Sequence, residues 1–320
     1  MTEANIPILR RITGPFYGNR RLLGYYWERL KKNKLSLIGL GFIVFLALVG
    51  IFGPLFTQDP TKADLAVSNM PPLGLSRQES IYNIKTDDFT TKIIEGSPSH
   101  PLGTDSKGRD MLAMLVSGAR ISLFVGLLAT GIAIFLGTFL GVLSAYLGGW
   151  ADNVLMRFTD IMMTFPFFLL LVLIVFIFGP SLAIIVLVIG LTGWTGAARL
   201  IRSEALSLRT RDFITASKAL GASDSRMIFN HLIPNVISLV IVMATLSIPG
   251  VIMAEASLSF IGLGDPTSTS WGTILNAGQH SLETAWWVAV EPGIMLFLTV
   301  LSFNFFGDGL RDAFDPKASI

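Results

Sequence analysis

Cysteine is absent from the 320-residue chain, which excludes disulfides and thiolate metal ligands. Charge is scarce too: Asp, Glu, Lys and Arg make up 14% of the residues, against roughly 25% in a soluble domain. The shortage is concentrated. No Asp, Glu, Lys or Arg stands between Arg120 and Asp152, and none between Asp160 and Arg199. Apolar runs of that length need a solvent other than water, and a bilayer core asks for about 20 apolar residues per helical crossing. Histidine is limited to His100, His231 and His280, in different connections and with no i, i+4 pair, so the spacing offers neither a metal site nor a Ser-His-Asp grouping. A Gly-x-x-x-x-Gly-Lys-Ser/Thr phosphate loop is missing as well, so ATP hydrolysis by that machinery is not expected. Catalytic residues, a bound cofactor and a bound metal are all outside the expectation. The net charge of +2 does not point to nucleic acid, because the bases cluster at the edges of apolar runs.

What the chain has in plenty is apolar surface, 52% of its residues. The runs predict an all-α integral membrane protein with six spans, at 35–56, 121–146, 154–178, 182–198, 235–254 and 286–306. Mostly polar residues 1–34 precede the first run, which is long enough to span, so it reads as a retained helix and not as a cleaved signal. Gly179-Pro180-Ser181 divides the long stretch after Asp160 into two antiparallel spans, because proline removes a donor and clashes with the preceding turn. Orientation follows the bases. Arg10, Arg11, Arg20, Arg21, Arg29, Lys31, Lys32 and Lys34 precede the first span, and Arg199, Arg202, Arg209, Arg211, Lys218 and Arg226 follow the fourth. The turn at Pro180 and the connection 257–284 carry none. Both termini are therefore expected in the cytoplasm, with the long loop 57–120 outside. The chain divides into a basic interfacial segment (1–34), a first span (35–56), the external loop (57–120), a five-helix core (121–306) containing the cytoplasmic connection 199–233, and a tail (307–320). In the first segment, Leu22, Leu23, Tyr25, Tyr26, Trp27 and Leu30 are expected at the lipid headgroups, with the bases on anionic lipid.

Small residues recur at every fourth position of the second span: Ala129, Ala133, Gly137, Gly141, Ala145 and Gly149. That spacing makes a seam for close helix approach, inside the subunit or against a partner. Arg157 and Asp160, one turn apart, are expected to pair. Glu255 and Glu291 fall at the outer ends of the fifth and sixth spans. Each is either a pathway or gate residue or a solvated cap beside water.

The cytoplasmic connection carries the most pattern. Residues 211–220 predict a short helix capped by Thr210 or Asp212, with apolar Phe213, Ile214, Ala216 and Leu220 although it lies outside the bilayer. Gly221 stands where a left-handed residue ends a helix, Ser223 caps a second one, and Pro234 is expected to interrupt before the fifth span. Such a protruding apolar helix is either a docking surface or an amphipathic helix on the lipid surface.

The string Thr215-Ala216-Ser217, three residues, Gly221, nine residues, His231-Leu232-Ile233-Pro234 resembles the cytoplasmic loop of bacterial ABC-importer permeases, Glu-Ala-Ala, three residues, Gly, nine residues, Ile-x-Leu-Pro. Ala216, Gly221 and Pro234 match, while Thr215, Ser217, His231 and Ile233 depart. Three further blocks resemble the C-type permease of dipeptide and oligopeptide importers: 100–110 with 118–123, 257–264 with 270–272, and the tail 304–316. Together these cover 100–317 in the right order. The resemblance implies the type I ABC importer permease fold in the inner membrane. It also implies that Phe213, Ile214, Thr215, Ala216, Ser217, Leu220, Gly221 and Pro234 form the ATPase-coupling element. The implied partners are a second permease of similar fold, two ATPase subunits, an extracytoplasmic substrate-binding protein and membrane lipid. Nickel complexes or oligosaccharides are alternative cargo, because related permeases share these motifs. An ion-coupled secondary transporter would show two repeated halves and polar groups in broken helices, and neither is visible. A membrane-embedded enzyme is weakened by the absence of a catalytic cluster.

Overall fold

The computed structural model describes residues 19–83 and 88–314. Helix α1 (Asn19–Lys32) leads into α2 (Lys34–Phe52), where Asn33 caps the turn by accepting a hydrogen bond from the Ser36 N–H at 3.2 Å. The long connection that follows contains an antiparallel hairpin, β1 (Ser76–Asn83) and β2 (Asp88–Glu95), with Ser76 opposite Glu95. The sequence reading did not name this hairpin. Then come α3 (Met111–Leu147), α4 (Gly149–Thr164), α5 (Phe167–Phe178), α6 (Leu182–Thr192), α7 (Thr195–Arg209), α8 (Asp212–Ala219), α9 (Ile233–Leu258), α10 (Trp271–Gly278) and α11 (Trp287–Phe314). Among the described residues five helical stretches are long and apolar enough to cross a membrane, and α4 with α5, bent by 81°, make a sixth if taken as one span.

Helix ends run past the expected spans where one face of the helix stays buried in protein. α3 starts at Met111, well before Ile121, because its first turns pack on protein: Met111, Met114 and Ala119 share a buried group with Trp271 and Trp287. Asp110 caps it, accepting from the Ala113 N–H at 2.8 Å. The fourth crossing runs on past Ala198 to Arg209, since Ile201, Ala205 and Leu208 keep one face of α7 buried. Pro234 does not interrupt. It falls in the first turn of α9, and the preceding turn is π-wound, the Ile233 N–H reaching back to the Ile228 carbonyl, so the helix is continuous over Asp224–Leu263. The third span is not straight. Pro166 holds Phe165 extended at φ −79° and ψ 131°, and the helix breaks there.

Buried side chains form three groups in order along α3, the first with α10 and α11, the second with α5 and α6, the third with α7, α8 and the start of α9. The seam packs inside the subunit. A Cβ on Gly137 would stand 2.6 Å from the Ala197 Cβ, and one on Gly141 would stand 2.6 Å from the Ala198 carbonyl oxygen. Gly149 does not take part, because it already begins α4. Asp160 pairs with Arg199 of α7 at 2.5 Å and not with Arg157, which stays exposed. Part of α1 packs on the last helix. Tyr26 packs on Phe314 with ring centroids 4.6 Å apart and Leu30 is buried near Gly309, while Trp27 remains exposed beneath the Lys31 ammonium. The side chains of Leu22, Leu23 and Tyr25, with Arg10, Arg11 and the tail beyond Phe314, lie outside the described residues.

Candidate functional site

Two residues separate α7 from α8, so the loop helix continues a membrane helix almost directly. Arg211 occupies its cap position without a side-chain bond, where Thr210 or Asp212 was expected; Asp212 lies in the first turn instead, next to the positive helix end. Ile214, 4% exposed, turns inward onto Leu208, Met227 and Leu232. Phe213 (43% exposed), Ala216 and Leu220 (89% exposed) turn outward. Their spacing of three and four places them on one face, with Thr215 exposed alongside.

The end of α8 is tightly defined. Gly221 adopts φ +83°; its N–H donates to the Lys218 carbonyl at 3.0 Å, and the Ala222 N–H donates to the Ser217 carbonyl at 3.2 Å. This is the Schellman closure that favours glycine. Ser223 then caps the next turn by accepting from the Arg226 N–H. Ser217 and His231 meet, Oγ to Nε2 at 3.1 Å. These are two of the four positions at which the chain departs from the permease pattern. Sequence reading also missed the ties from the α3 end: the Tyr146 hydroxyl donates to Asp224, and an Arg209 guanidinium N–H donates to the Ala145 carbonyl at 3.1 Å. Pro234 is exposed at the start of α9 and bounds the loop without joining its apolar face.

At the opposite end of the bundle, Glu255 is not beside water. It is 1% exposed and accepts hydrogen bonds from Ser259 at 2.7 Å and Ser122 at 3.5 Å, joining α9 to α3. α10 presses against the same junction. A Cβ on Gly272 would stand 2.6 Å from the Ala256 carbonyl oxygen, and the Trp271 indole N–H donates to the Leu115 carbonyl at 3.1 Å. Asp265 closes the neighbouring turn by accepting from the Leu182 N–H at 2.9 Å. Burial pushes its carboxyl up, but hydrogen bonds from Thr267 and Leu182 outweigh that and hold it below its ordinary value. Glu291 does not meet Glu255. It sits on α11 with one carboxylate oxygen buried and unbonded among the described residues. His100 contacts Asp110, Nδ1 to Oδ2 at 2.8 Å.

Residues 113–320 match the family model described as binding-protein-dependent transport system inner membrane component, and residues 22–72 match the N-terminal TM domain of oligopeptide transport permease C. The dipeptide transport system permease protein DppC of Bacillus subtilis (strain 168) is 36% identical over 294 residues, 91% of this chain and 84% of the relative. The oligopeptide transport system permease protein OppC of Haemophilus influenzae is 44% identical over 220 residues, 68% and 70% of the two chains. Among solved structures, an inward-facing form of the MetNI methionine ABC transporter superposes with a TM-score of 0.52 at 20% identity, covering 64% of this chain and 98% of that one, a likeness of fold. The chain therefore belongs to the binding-protein-dependent transport system inner membrane component family, as a non-catalytic permease subunit of an ATP-binding-cassette importer.

Proposed function

We propose that this subunit forms half of the translocation path for dipeptides or oligopeptides in the cytoplasmic membrane, with both termini in the cytoplasm. It pairs with a second permease of similar fold, two ATPase subunits and an extracytoplasmic binding protein. α8 is the ATPase contact: Phe213, Thr215, Ala216 and Leu220 meet the groove, Ile214 and Ser217 fix the helix from behind, and Gly221 and Pro234 set its exit. The observation that carries this reading is the outward apolar row Phe213, Ala216, Leu220 on a helix anchored from behind by buried Ile214 and the Ser217–His231 contact. A free apolar row of that kind needs a partner surface. Peptide cargo is supported by the names of the curated relatives. Glu255 and Glu291, at the outer ends of α9 and α11, are the candidates for the pathway or gate.

The test is reconstitution. The chain, coexpressed with its neighbouring permease and ATPases, is placed in proteoliposomes with ATP inside and the binding protein outside. Accumulation of labelled di- and oligopeptides that requires ATP and is lost without the binding protein is the expected result. Accumulation of nickel complexes or oligosaccharides and not peptides overturns the cargo. Uptake driven by an ion gradient without ATP overturns the mechanism.

A further inference from the structure

α4 is held to the rest of the subunit in an unusual way. Thr159 is its only buried residue, so apolar packing gives it little anchorage. Instead it is joined at three points to α7 and to Trp194, the residue that precedes α7. Asp152 takes a two-pronged ion pair from Arg202, Nε and a terminal nitrogen both at 2.6 Å; Phe158 stacks on Trp194 at 5.9 Å and 18°; Asp160 pairs with Arg199 at 2.5 Å. The acids all stand on α4 and the guanidiniums all on α7. Asp152 and Asp160 are separated by about two helical turns, which keeps both on the side facing α7. Ser144, at the end of α3, also donates to Asp152. At its far end α4 meets α5 at 81°, and Pro166 leaves that joint without a donor.

α7 runs into α8 through two residues, and Ile201, Ala205, Leu208 and Ile214 lie in one buried group with Val142 and Ala145 of α3. We infer that α4 is a lever, carrying displacement of α8 through the Asp152–Arg202 and Asp160–Arg199 pairs to the bend at Phe165-Pro166 and so to α5. The four charged residues are positioning residues for transport. The inference rests on the reading of α8 as the ATPase contact. Of the two pairs, Asp152–Arg202 is the better shielded and two-pronged, so it should carry more of the effect.

The experiment uses the assembled importer with spin labels on exposed Leu169 of α5 and exposed Ile294 of α11. Three variants are compared with the wild type: Asp152→Arg, Arg202→Asp and the double reversal. Asp152→Asn, which keeps shape and loses charge, guards against a variant that fails to fold. In the wild type, ATP should shift the distance between the labels. Each single reversal and Asp152→Asn should abolish the shift and lower uptake by about tenfold, the size of a coupled pair interaction, while the ATPases stay bound. The double reversal should restore the shift and bring uptake back to within about threefold. Single variants that keep the shift and transport normally overturn the lever, as does a folded double reversal that recovers nothing. A cysteine at Ala216 that fails to crosslink to the ATPase in the wild type overturns the underlying reading of α8 instead, so the two failures are distinguishable.

Discussion

At Gly221 the backbone stands at φ +83°, a region that costs a residue with a side chain roughly 1–2 kcal/mol and a β-branched one more. No atom lies within 4 Å of a Cβ built there, so Gly221→Val is opposed by the backbone and not by a clash. The variant should insert and assemble its spans normally but aim α8 wrongly. It should hydrolyse ATP with poor uptake, or bind its ATPases weakly, as read by co-purification beside transport. Full transport would show that the turn does not set the direction of α8. Glu255 makes a different kind of prediction. Glu255→Leu leaves the Ser122 and Ser259 hydroxyls without their partner in a dry site, a cost of about 1–3 kcal/mol, whereas Glu255→Gln keeps an acceptor. Thermal unfolding in detergent should therefore rank wild type, Gln, then Leu. Equal unfolding of all three would mean that the carboxylate does not hold the junction. Neither the burial of Glu255 nor the Ser217–His231 contact was legible in the chain. Burial depends on α10 folding over the end of α9, and the contact spans 14 positions across a glycine turn.

Among the elements, α3 organises the bundle, and its every-fourth-residue seam is the clearest case of a pattern that carried through to packing. Gly137→Leu should push α7 away, since even a Cβ there would lie 2.6 Å from Ala197 and 2.8 Å from the Trp194 carbonyl oxygen. Overpacking of that kind costs about 1–3 kcal/mol, so the variant should melt earlier and yield less monodisperse protein in size-exclusion chromatography. Wild-type melting would place the seam elsewhere. The apolar runs revealed the helices but not their ends, and the reason is physical. A run measures where lipid could be, while α3, α7 and α9 continue for turns beyond it on faces buried in protein. The break at Phe165-Pro166 was hidden because proline was read there only as part of an apolar stretch. The hairpin lies in a polar loop with no strong alternation to announce it.

For the molecule as a whole, family and helical membrane class were the most legible, because charge-free runs and ordered motif blocks are properties of the chain itself. Which end faces the cytoplasm rests on the Lys and Arg distribution and has a direct check. Single cysteines at Ser106 and Ser268 should react with an impermeant thiol reagent added outside, and one at Ser223 should not; the native chain has no cysteine to confuse the labelling. Labelling at Ser223 from outside would invert the assignment. The central claim is that α8 joins this subunit to its ATPase, and crosslinking tests it most directly. A cysteine replacing exposed Ala216, paired with cysteines along the groove of the ATPase, should crosslink in the native complex, and the yield should change when nucleotide is added. Absence of any crosslink from positions 213–220, in a complex that transports peptide normally, would contradict the account.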